Sequence, residues 1–148
     1  MVKTISKDIP LAEITLRKYE KPYDLPQREL IKKLCLSIGL LQPGDSRDII
    51  VDVFLALINT KKPLSSKEVE DLAIEIRKSH NLPLKGVAGS NIRRQLKRLK
   101  DIFLIESINN NYRITENDTL ERIFEEKIER FYIKSITDRV KEYFQAIK

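Results

Sequence analysis

Tryptophan is absent from this 148-residue chain, cysteine and histidine occur once each, and glycine occurs only four times. A single cysteine, Cys35, cannot close an intramolecular disulfide, and its place among Leu34, Leu36 and Ile38 reads as a small buried hydrophobe. A reducing compartment is expected. The lone His80 and a distant cysteine give no metal ligand set. No Gly-rich phosphate loop, no H-E-x-x-H pair and no nucleophile with a spaced base occurs, so the expectation is a non-enzyme with no cofactor and no metal. Asp45 and Asp48 in GDSRD raise Mg²⁺ chemistry, but capping of a following helix by Asp45 or Ser46 explains the segment more simply. The longest apolar run, Ile49 to Ile58, is interrupted by Asp52 and falls short of the roughly 20 residues of a membrane span. MVKTISKDIP lacks the apolar core of a secretory signal, and a cytoplasmic protein without membrane contact is expected.

What is present is charge: 34% of residues are Asp, Glu, Lys or Arg, against 41% hydrophobic, which suits a helix-rich globular chain rather than a disordered one. The formal net charge is +6. Its placement matters more than its size, because Lys85 to Lys100 holds six Lys/Arg and no Asp/Glu, a local excess equal to that of the whole chain.

Punctuation divides the chain into 1–44, an arm and helix; 45–116, the principal domain; and 117–148, an amphipathic helix. Pro10, Pro22 and Pro26 mark an extended arm. A first helix begins near Pro26, presents Leu30, Ile31, Leu34, Cys35 and Ile38, and stops at Gly39, placed for a left-handed cap. A second runs to about Asn59. Ser65 and Glu68 form a capping box for a third, with Val69, Leu72, Ala73 and Ile76 on its buried face. In SNIRRQLKRLK, residues 90–100, the i, i+4, i+7 spacing of Ile92, Leu96 and Leu99 predicts a fourth helix with one buried stripe and five cations outside it. FLIESI and NYRIT then alternate around Asn109, Asn110 and Asn111, the pattern of a β-hairpin.

Within 45–116, three helices and a hairpin, the last of the three helices basic, follow the order of a winged helix-turn-helix domain. GSNIRRQLKRLKDIFLIES leading into NNNYRIT, with its step from Lys97 to Ile105, resembles the recognition helix and wing of that family over about Asp45 to Thr115. The fold class implied is mainly α with a small β-hairpin wing (α+β), flanked by an N-terminal arm and helix and a long C-terminal helix. The resemblance implies a transcriptional regulator whose helix 90–100 enters the major groove of double-stranded DNA. Ser90, Asn91 and Arg94 are then candidates for base edges, and Lys85, Arg93, Lys97, Arg98 and Lys100 for phosphates. The wing departs from the family pattern: only Asn110 and Arg113 offer DNA contacts there, and an Asn-rich turn equally serves structure alone.

From Asp118 on, apolar residues recur at three- and four-residue spacings, with seven acidic and six basic side chains up to Ile147. Homodimerisation through 118–147 is expected, and folding back over the chain's own core is the competing reading. The alternative function is a non-catalytic winged-helix interaction module of a transcription, replication or ribosomal assembly, meeting RNA or an acidic protein surface.

Overall fold

Each helix of this chain presents one apolar stripe, and the architecture follows from bringing those stripes together. A computed structural model describes residues 8–148 as α1 (Gln27–Ser37), α2 (Ile49–Ile58), β1 (Leu64–Ser65), α3 (Ser66–Ser79), α4 (Gly89–Asp101), β2 (Ile105–Ile108), β3 (Asn111–Ile114), α5 (Leu120–Ile123), a π-helical stretch (Phe124–Ile133) and α6 (Lys134–Ala146). It is 56% helix and 7% strand, with one small antiparallel sheet of order β1-β3-β2. The first seven residues lie outside the described part.

α2 is buried at all but its last residue and is the central element, touching α1, α3 and α4. Phe54, Ile50 and Leu57 fill its surroundings, where Val69 and Ala73 of α3 and Ile92, Leu96 and Leu99 of α4 meet it with essentially no exposure. Each such Leu or Ile contributes about 1.5–3 kcal/mol by leaving water. The core continues without a break from Ile31 and Cys35 of α1 to Ile123 and Ile128 of the C-terminal rod.

The Ser65 capping box forms as expected: Ser65 Oγ accepts from the Glu68 amide at 3.1 Å and Glu68 Oε1 accepts from the Ser65 amide at 2.9 Å. Gly39 takes φ +77° beyond α1, and it also meets the arm, since a Cβ there would lie 2.7 Å from Thr15 Cβ. Asn109 and Asn110, at φ +50° and +64°, make the left-handed pair of a tight hairpin turn.

Four expectations are corrected. α2 is capped by neither Asp45 nor Ser46. It starts at Ile49 behind Asp48, and Asp45 instead closes a local turn by accepting from the Arg47 amide at 2.9 Å. The hairpin is joined by a third strand, β1, whose Leu64 and Ser65 pair with Tyr112 and Asn111. Leu30 faces out, and Arg28 is the buried residue at that level of α1. The segment after Thr119 is not uniformly α-helical: Phe124–Ile133 winds as a π-helix with i→i+5 hydrogen bonds, and Ile123, Ile128 and Ile133, spaced by five, lie on its core side.

Arm and rod clamp each other. Tyr132 Oη accepts from the Glu13 amide and donates to the Glu13 carbonyl, both at 3.2 Å. Arg17 donates to the carbonyls of Leu36 and Leu41 at 2.8 and 3.2 Å. Phe103, held at φ +69° between α4 and β2, meets Tyr132 edge-on at 5.5 Å and Phe131 at 6.0 Å. The base of α4 is thereby tied to the rod.

Candidate nucleic-acid interface

α4 begins behind Ala88, whose side chain offers no cap, and its first turn, Gly89–Ser90–Asn91, holds no acid. The Asn91 amide donates to the Ala88 carbonyl at 2.9 Å, while Gly89 and Ser90 before it have no side-chain cap, and the N-terminus keeps its partial positive charge. With Ile92, Leu96 and Leu99 locked into the core, helical geometry turns Ser90, Arg93, Arg94, Lys97 and Lys100 outward, and all five are exposed. Arg93, Arg94, Lys100 and the exposed loop residue Lys85 make no ion pair among the described residues. Lys97 pairs with Asp101 at 2.8 Å, an exposed i,i+4 contact that restrains it by only about 0.3–0.5 kcal/mol.

Asn91 and Arg98, expected at the same surface, are turned to one flank and committed inward. Asn91 Nδ2 donates to the Gly86 carbonyl at 2.9 Å, and Asn91 Oδ1 accepts from Gln95 Nε2 at 3.1 Å. Gln95 Oε1 then accepts from Arg98 Nη1 at 2.9 Å, and Arg98 Nη2 donates to the Leu40 carbonyl at 2.6 Å. The result is a polar rail along α4 at 91, 95 and 98, one residue behind the apolar stripe at 92, 96 and 99. It fixes the helix between the loop before it and the turn after α1. The exposed cations of this region are therefore Lys85, Arg93, Arg94, Lys97 and Lys100.

The hairpin carries little positive charge. Asn110 is exposed at its tip, while Arg113 is half-buried and bridged to Glu106 at 2.7 Å. Burial raises the Glu106 carboxyl, but the Glu116 amide and the Arg113 guanidinium outweigh it and hold the group below the usual range. The pair stays charged and Arg113 stays neutralised near pH 7. Glu116 in turn takes Lys127 of the rod at 3.2 Å.

What orients α4 lies below it, in four buried charges not expected from the sequence. Arg28 of α1 donates to Asp52 at 2.9 and 3.0 Å and to Asp48 at 3.2 Å. Arg77 of α3 donates to Asp48 at 2.9 Å, to Asp52 at 2.8 Å and, through Nε, to the Pro83 carbonyl at 2.7 Å. Burial pushes the Asp48 carboxyl up, yet hydrogen bonding from Arg77 and the Arg28 charge overcome this and leave it below its ordinary value. Two cations and two anions cancel, and every buried side-chain N or O atom among the described residues has a partner. Because desolvation consumes most of the Coulomb gain, such a cluster fixes geometry more than it adds stability. Here it joins α1, α2, α3 and the turn leading into α4. The sequence signal was Asp48 and Asp52 at i,i+4 on either side of a wholly apolar turn, a pattern that needs buried counter-charges.

No group of three or more His, Cys, Asp or Glu side chains among the described residues could hold a metal, and no helix there is long and apolar enough to cross a membrane. Comparison with protein-family models, with curated proteins and with solved structures finds no match to this chain.

Proposed function

We propose that the chain is a non-catalytic winged-helix protein of the transcriptional-regulator type that binds duplex DNA through the outer face of α4. One observation carries the reading: in the order α2-β1-α3-α4-β2-β3, α4 is locked by its apolar stripe and polar rail while Ser90, Arg93, Arg94, Lys97 and Lys100 project from it, with no acid between Lys85 and Lys100. Cations on a rigid helix displace counterions from phosphates without an ordering cost, and the open N-terminus of α4 brings Ser90 and Arg94 first toward base edges. The hairpin serves mainly to brace β1 and the rod, since its cation is already bridged.

Fluorescence anisotropy with random duplex DNA over a salt series tests this. The Arg93→Ala, Arg94→Ala, Lys100→Ala triple variant should lose affinity, and its log-log salt slope should shrink by about 0.9 per lost contact. Equal binding by wild type and variant would move the interface elsewhere. The protein-module reading is favoured by the neutralised wing, and loss of partner assembly with intact DNA binding would select it.

Pairing of two copies through the rod completes the proposal. α6 has no buried residue, and Val140, Tyr143 and Ile147 stand 48–75% exposed. With Ile136 they recur at 4-3-4 spacing, an apolar stripe along α6 and its end that a second copy of the helix would cover. Sedimentation equilibrium should report a dimer that Val140→Asp converts to monomer, whereas a wild-type monomer at tens of micromolar would refute it.

A further inference from the structure

A cleft of about 500 Å³ opens on the flank of α4, with Arg94 at its edge. One wall is Asp45–Ile49, leading into α2. The opposite wall is the polar rail of α4 with Arg94 beside it, and Lys85–Gly86 closes the end. We infer that this cleft is a phosphate-binding site, which shares Arg94 and Lys85 with the basic face of α4 but is built by Arg98, Ser46 and the start of α2 as well.

The charge balance carries the inference. Asp48 and Arg77 reach the cleft but belong to the closed buried cluster, in which charges cancel. Asp45 is matched by Arg47 at 3.2 Å. Lys85, Arg94 and Arg98 are left with no carboxylate partner among the described residues, since Arg98 donates only to the neutral oxygens of Gln95 and Leu40. Three uncompensated cations around one concavity more than offset the roughly −2 charge of a phosphate monoester, and confinement strengthens their field over that of an open surface.

Hydrogen-bond donors stand in the same place. The Asp48 carboxylate is drawn to Arg28 and Arg77 and makes no cap to α2, and Ile49 at the start of that uncapped helix lines the cleft beside the exposed Ser46 hydroxyl. Gly86 has φ +75°, and a Cβ there would lie 3.0 Å from Asn91 Nδ2 and 3.3 Å from Ile49 Cγ2. The loop backbone thus closes on both walls as only glycine permits. The rail holds the arrangement before any ligand arrives, which lowers the ordering cost of binding. A phosphate fills only part of the volume, and the remainder admits a sugar or nucleoside attached to it.

Two sources supply this chemistry: a phosphorylated small molecule, or a backbone phosphate of DNA lying against the cleft. Inorganic pyrophosphate titrated into the full chain, followed by amide NMR, tests the site. Saturable shifts are expected at Lys85, Gly86, Ile49 and Ile50, weakened about tenfold or more by Ser46→Glu, which adds a like charge at the wall. Lys85→Gln should weaken them as well, providing a second variant if the first does not fold. Absence of saturable shifts, or shifts spread over all exposed cations and unchanged in both variants, would overturn the inference. Parallel anisotropy with duplex DNA separates the sources. Retained DNA affinity in Ser46→Glu identifies a free ligand, and joint loss in a folded variant identifies a backbone phosphate. Pyrophosphate binding in a wild type that ignores DNA would sink the proposed function and leave this site standing.

Discussion

Replacing Arg77 by Met removes three donated hydrogen bonds at once: to Asp48 at 2.9 Å, to Asp52 at 2.8 Å and to the Pro83 carbonyl at 2.7 Å. Two buried carboxylates would then share Arg28 alone, with Lys32 at 3.6 Å from Asp48 as distant help. Removing one member of a buried charge set costs about 3–5 kcal/mol, and because Arg28 still bridges both acids the low end, about 3 kcal/mol, is expected. With a urea dependence of roughly 2 kcal/mol per molar, the unfolding midpoint should fall by about 1.5 M. Arg77→Met with Asp48→Asn restores charge balance around Arg28 and Asp52, so the double variant should recover part of the loss, a coupling that a double-mutant cycle resolves. The deficit should also narrow in acid. Asp48 has a folded value below its unfolded value of about 3.9, so its stabilisation is present above that pH and disappears as pH falls through the folded value. A midpoint shift below about 0.3 M, or strict additivity in the cycle, would refute the claim that the four charges act as one unit.

Ser65→Ala removes a capping box at the start of α3 and should cost about 1 kcal/mol by thermal or urea unfolding while leaving DNA affinity unchanged. Leu99→Ala opens a cavity under α4 and should cost about 2–5 kcal/mol, with the near-native spectrum retained if the rail still holds the helix. Burial pushes the Cys35 thiol up to about 12, so its reaction with a disulfide reagent at pH 8 should run at the rate of global opening. Rapid labelling of the folded chain would contradict the burial.

What could be read from the sequence was whatever a single local pattern decides. Ser65 and Glu68, the stripe at 92, 96 and 99, and the Asn109–Asn110 turn each follow from neighbours within a few residues. β1 could not be read this way, since two residues carry no periodicity and pair only when β3 arrives across α3 and α4. Arg28 and Arg77 look like ordinary polar helix positions, and only the carboxylates they meet make their burial affordable. Asn91 reads as a base-edge candidate by its place near the start of α4, and Arg98 as a phosphate candidate by its charge. Their inward turn shows in the uncharged Gln95 between them, at the same 4-3 spacing as the stripe beside it. The five-residue recurrence of Ile123, Ile128 and Ile133 was present in the sequence but hidden among three- and four-residue matches.

That recurrence has an angular meaning. A helix wound at i→i+5 takes in more residues per turn than one wound at i→i+4, so residues beyond Phe124–Ile133 emerge at an azimuth that uninterrupted α winding would not give them. The stretch acts as a phase adjuster between the half of the rod that rests on the core and the half that leaves it. Deleting one residue within it would swing α6 by about 100° about its axis with almost no change in length. In a pair of chains joined through α6, the two copies of α4 would then point along different bearings, a change readable as altered preference for half-site spacing. Under the proposed pairing, the bearing of α4 would be set by the winding of Phe124–Ile133, a segment outside α4 itself.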